Sequence, residues 1–133
     1  MKRIIIGFLL ASITLFASSP EELFDNKCGI CHIKTMPKNK SELIAPAIFG
    51  VMRHVKMNYD TKKEAISFMN DYIMNPSKDK AICMERKIKR FGLMPSQKGN
   101  LSKDELSKIT SWVYDNFPPK NFKGNNKKSC SHK

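Results

Sequence analysis

Five consecutive residues, Cys28-Gly29-Ile30-Cys31-His32, narrow the possibilities for this chain more than its composition does. Two cysteines three apart on a helical turn share a face, and the histidine after them projects from the same turn. The pattern C-x-x-C-H is the one to which a haem is attached through two thioethers, with the histidine as an iron ligand. The spacing suits that chemistry, because both sulfurs reach carbons along one side of a porphyrin. Rival readings remain. The four cysteines, at 28, 31, 83 and 130, allow three pairings of two disulfides. A thioredoxin-like pair wants a strand before the motif, and Glu21 to Lys27 has neither alternation nor a β-branched run. A zinc site wants a second close pair, and Cys83, Cys130, His54 and His132 are scattered. The motif also occurs by chance in chains with no cofactor.

The N-terminus reads as an export signal. Lys2 and Arg3 precede an apolar run from Ile4 to Phe16, and the small residues Ala17, Ser18 and Ser19 close it. Cleavage is expected after Ala17 or Ser18, giving residues 1–17 as signal and a periplasmic product; an uncleaved membrane anchor and a buried N-terminal helix are the alternatives. The run falls short of the roughly 18 apolar residues of a membrane span, so a multi-span transporter is excluded. Loss of Lys2 and Arg3 lowers the formal net charge of +12 by two, to +10. Such a field speeds encounter with acidic proteins or anionic lipid. Export disfavours nucleic acid as a partner.

At 133 residues and 41% hydrophobic, the chain supports one domain with a small core. A covalently held haem would enlarge that core. Local signals predict an all-α frame. Ser19-Pro20-Glu21-Glu22, Thr61-Lys62-Lys63-Glu64 and Ser102-Lys103-Asp104-Glu105 are capping boxes, predicting helices from about 20 into the motif, roughly 62–75 and about 103–117. A short basic helix over 81–91 is expected to stop at Gly92. Residues 39–59 read as an extended loop with turns at Pro46 and Gly50, in which Ile44, Ile48, Phe49 and Val51 line an apolar pocket. Residues 18–118 form the expected domain, and 119–133 read as a mobile basic tail.

The sixth iron position decides between an electron carrier and a gas sensor. Met94, followed by Pro95 in a loop after the basic helix, is the first choice. Met84 is the runner-up. Met69 and Met74 read as core or surface residues of their helix, and His54 as a solvated or hydrogen-bonded side chain before a ligand.

Over about residues 20–117 the sequence resembles a class I monohaem cytochrome c. Leu23-Phe24-Asp25-Asn26-Lys27-Cys28 is similar to the family's first helix, Ala45-Pro46-Ala47-Ile48-Phe49-Gly50-Val51 to its Gly-Pro-x-Leu-x-Gly loop, and Asp71-Tyr72-Ile73-Met74-Asn75-Pro76 to its Y-[IL]-x-N-P helix end. Gly92-Leu93-Met94-Pro95 and the segment 101–117 with Trp112 complete the order. The resemblance implies a cytochrome c fold of about four helices and long loops around one covalent haem c, with Cys28 and Cys31 as attachment points and His32 and Met94 as iron ligands. It implies that the Pro46 carbonyl orients His32, that Tyr72 sits near the Met94 sulfur, that Arg53 or Tyr59 approaches a propionate, and that Phe24 packs on Trp112. Ala45 departs from the family's Gly, Pro20 from a small residue at the helix crossing, and 77–93 is longer than in the compact mitochondrial type. Cys83 and Cys130 have no family counterpart; a disulfide between them and two free thiols are both open.

The resemblance further implies a monomeric, non-enzymatic carrier passing single electrons between redox complexes. Lys27, Lys34, Lys87, Lys89 and Lys98 are candidates for steering it onto an acidic partner such as a quinol-oxidising complex, terminal oxidase or peroxidase, with membrane-surface contact also open. A five-coordinate gas sensor and a cytochrome subunit of a larger oxidoreductase are the alternative functions.

Overall fold

Ser19 starts the first helix from both sides of its cap. Its hydroxyl accepts the Glu22 N–H at 3.2 Å, while the Glu22 carboxylate accepts the Ser19 N–H at 2.9 Å. In this computed structural model, residues 18–82 and 85–123 are described. The segment expected to be an export signal, Cys83, Met84 and Cys130 lie outside them, and with them the disulfide question and the runner-up ligand.

The described residues are all-α: five helices and one 3₁₀ turn, without a strand. Helix α1 is Pro20–Lys27, α2 Ile48–Asn58, α3 Lys62–Met74, α4 Glu85–Phe91 and α5 Lys103–Asn116, with the 3₁₀ turn at Lys40–Glu42. The capping boxes at Ser19, Thr61 and Ser102 all form. Gly92 ends α4 with φ +76°, a left-handed conformation that favours glycine. Among the described residues no helix is long and apolar enough to cross a membrane.

α1 and α3 both pack on α5, and α2 touches α3 and α5. At the α1–α5 crossing, Phe24 is 1% exposed, its ring centroid 5.5 Å from Trp112 and 6.4 Å from Phe117. Leu106, Ile109 and Val113 are the buried stripe of α5, and Met52, Val55, Ala65 and Met69 continue the core through α2 and α3. Met69 thus packs in the core, and Met74 packs half-buried against it. Thr110, buried on α5, gives its hydroxyl to Asn70 Oδ1 at 2.9 Å, a polar tie to α3.

Four expectations change. The extended loop over 39–59 is instead a 3₁₀ turn and α2. Ile48, Met52 and Val55 recur at helical spacing and are buried, and Gly50 lies within the helix. The start was hidden because the cap residue Ala47 offers no side-chain acceptor; the Ile48 N–H is taken by the distant Ile33 carbonyl at 3.1 Å. The same change dissolves the predicted pocket, since Ile48 and Phe49 join the core while Ile44 is 64% exposed. The short basic helix, expected over 81–91, is α4 at 85–91, with Ala81 and Ile82 buried outside it. Finally, packing extends past Pro118, where Phe122 sets its ring 5.0 Å from Phe49. One aromatic was enough to fold the first residues of the expected tail back onto the core; residues 124–133 lie outside the described part.

Candidate functional site

The motif grows directly out of α1. The Phe24 carbonyl accepts from Cys28 N and Gly29 N, both at 2.8 Å, and the Cys28 carbonyl then accepts from Cys31 N at 3.1 Å and His32 N at 2.8 Å. Cys28, Cys31 and His32 are therefore wound on a single turn. Gly29 is needed for that winding, because a Cβ there would stand 2.8 Å from the Asp25 carbonyl oxygen and 3.0 Å from its Cα. Both cysteines are free thiols, Cys28 half-buried and Cys31 exposed. Burial, and then the neighbouring Cys31, push the Cys28 thiol up to about 11.

His32 is half-buried, and its Nδ1 lies 2.7 Å from the Pro46 carbonyl oxygen. A carbonyl only accepts, so Nδ1 carries the proton and Nε2 keeps its lone pair. Burial lowers the histidine's pKa against the opposing pull of that hydrogen bond. That shift favours the neutral ring, the form that ligates a metal. The bond from Ile48 N to Ile33 O runs alongside, so two links clamp the residues after the motif to the start of α2. Lys34 adds a surface clamp to α1, its Nζ 2.8 Å from Glu21 and 2.8 Å from Asp25.

Met94 is half-buried in the loop after α4. That loop is pinned to the end of α3: Ser96 Oγ donates to the Met74 carbonyl at 2.6 Å, and Gln97 N to the Ile73 carbonyl at 3.0 Å. Leu93 beside Met94, and Ile44 two residues before Pro46, are exposed large apolar side chains at the two loops. Tyr72 joins a ladder on the same helix end, its ring 5.6 Å from Phe68, which stacks on Tyr59 at 4.8 Å. Burial pushes the Tyr59 hydroxyl pKa up. Arg53 and His54 are half-buried on α2, and burial, Arg53 and Lys87 together lower the His54 pKa.

The structure thus brings His32 to Pro46, Phe24 to Trp112, and the Met94 loop to the helix bearing Tyr72. Of the lysines expected to steer a partner, Lys34 is held by two carboxylates and Lys27 donates to the Asn100 carbonyl at 2.9 Å. Sequence reasoning missed Ile33, Ser96 and Gln97, which act through backbone atoms or a lone hydroxyl and leave no pattern. It missed the role of Gly29 as well, although a glycine just after a helix is itself a signal of close approach. Among the described residues no three His, Cys, Asp or Glu side chains gather as a site for a bare ion. A shallow groove of about 460 Å³ between Pro20 and the Ser107, Ser111 and Trp112 face of α5 contains none of Cys28, Cys31, His32 and Met94.

The chain is 32% identical over 136 residues to an "Uncharacterized protein" of Aquifex aeolicus (strain VF5), a match covering 88% of this chain and 89% of that relative. It belongs to the same family as that protein. No family model matches the chain, and no solved structure matches it.

Proposed function

We propose that this protein is a periplasmic electron carrier, a monohaem cytochrome c of class I, with one haem c attached at Cys28 and Cys31. The observation that carries the reading is the turn on which Cys28, Cys31 and His32 are wound together, with the His32 ring held at Nδ1 by Pro46, 2.7 Å away. The donor set suits a haem: two thiols on one face and a neutral imidazole whose Nε2 lone pair is available to iron. When bound, the haem supplies one-electron chemistry between ferrous and ferric iron. Cys28 and Cys31 hold it by thioethers, and His32 and Met94 are the proposed ligands. Pro46 keeps the His32 ring in one tautomer and orientation, and the Ser96 and Gln97 bonds to α3 limit movement of the Met94 loop. The protein thereby needs little rearrangement on gaining or losing an electron.

A thiol–disulfide exchange function fits less well. Such enzymes depress the attacking thiol, whereas Cys28 is raised to about 11. The proposed partners are acidic redox proteins, approached through the basic surface.

Expression in a host with haem-attachment machinery tests the reading. The expected product is red, heavier than the polypeptide by one haem, and keeps its colour after denaturation and solvent extraction. A colourless product with two free thiols at 28 and 31 overturns it.

A further inference from the structure

We propose that the cationic face built by α4 and the Lys40–Glu42 turn is a docking surface for an anionic lipid bilayer. α4 reads Glu-Arg-Lys-Ile-Lys-Arg-Phe. At 100° per residue its four cations, Arg86, Lys87, Lys89 and Arg90, fall within an arc of about 160°, and Ile88 and Phe91 fall on the remaining side. Arg90 fixes this helix to the turn, its Nη2 donating to the Lys40 carbonyl at 2.6 Å. Lys38 and Lys40, both exposed, extend the positive surface.

The molecule's ion pairs lie elsewhere. Lys34, Lys62, Lys80 and Lys108 meet carboxylates, whereas among the described residues none of the four α4 cations does. Lys87 and Arg90 rest instead over the Phe91 ring, at 5.5 and 4.7 Å. Glu85 in α4 and Glu42 in the turn are outnumbered by six cations, and this excess of positive charge on exposed backbone elements suits a layer of anionic headgroups, which needs no register. Leu93 stands exposed two residues past the helix, an apolar side chain of the kind that enters a headgroup layer. The inference takes from the proposed function only the compartment, where an exported protein meets lipid. Docking by α4 would also hold the Met94 loop, which follows it directly, near the bilayer and any membrane-embedded redox partner.

The test is co-sedimentation of the full haem-loaded protein with vesicles of phosphatidylglycerol and phosphatidylcholine, against phosphatidylcholine alone. Binding is expected only to the anionic vesicles, weakening as salt is raised. The double variant Arg86→Gln/Lys89→Gln, which alters two exposed side chains, should bind about twentyfold more weakly. Lys63→Gln/Lys103→Gln, with the same change in net charge on α3 and α5, should bind as the parent does. Absence of vesicle binding, or equal losses in both variants, overturns the proposal. So does retention on immobilised polyglutamate, dependent on Arg86 and Lys89, without vesicle binding, which would assign the face to an acidic protein. Colour is recorded separately: a red protein that ignores vesicles sinks this inference alone, and a colourless one that binds them sinks only the haem reading.

Discussion

The imidazole of His32 gives its Nδ1 proton to the carbonyl of Pro46, 2.7 Å away and 14 residues along the chain. That bond joins the end of the motif to the segment leading into α2. It leaves the lone pair of Nε2 free and makes the ring a stronger donor to any metal it meets. Because Pro46 contributes a backbone atom, its role depends on where the chain runs and not on the proline side chain.

Met94→Ala tests the second proposed ligand. The variant is expected to keep its haem and its fold but lose the weak absorption band near the red end of the oxidised spectrum, and its reduction potential should fall. A spectrum and potential matching the parent would remove Met94 from the iron.

Gly29→Ala tests the winding of the motif. With a Cβ 2.8 Å from the Asp25 carbonyl oxygen, the turn must shift, at a cost of about 1–3 kcal/mol. Urea unfolding of the loaded protein should show the loss, and the yield of haem-attached protein should drop. A variant as stable as the parent would mean that the turn accommodates a methyl group freely.

Phe24→Ala removes the buried ring at the α1–α5 crossing, where Trp112 and Phe117 both meet it. The expected cost is about 3–5 kcal/mol, read as a lower denaturation midpoint. A loss below about 1 kcal/mol would show that the crossing collapses around the gap.

Glu105 accepts the Ser102 N–H at 2.8 Å, and this bond holds its carboxyl below the ordinary value of 4.5. A depressed carboxyl stabilises the fold above its unfolded value and loses that contribution as pH falls through its lower folded value. Glu105→Gln should therefore lower the melting temperature at pH 7, converge with the parent at low pH where the carboxyl is protonated, and so flatten part of the acid limb of a plot of melting temperature against pH. An unaltered acid limb would place the pH dependence on other groups.

Much of the frame was legible because its signals are local. Three capping boxes placed the starts of α1, α3 and α5, and the apolar spacing of Leu106, Ile109 and Val113 identified the buried face of α5. α2 escaped because Ala47 carries no capping group and its first N–H is satisfied from Ile33. Phe122 escaped for a related reason: a lone aromatic in a basic stretch has no periodicity, and only the proximity of Phe49 gives it a place.

Order along the chain determined the C-x-x-C-H turn and the three capped helices, since each depends on residues a few positions apart, and composition alone set the strong positive charge. Tertiary structure alone decided the orientation of His32, the start of α2, the anchoring of the Met94 loop to α3 and the joining of α4 to the Lys40–Glu42 turn. Each of these rests on a backbone carbonyl or N–H, which every residue possesses and no sequence pattern marks, so its partner is settled only when the chain folds.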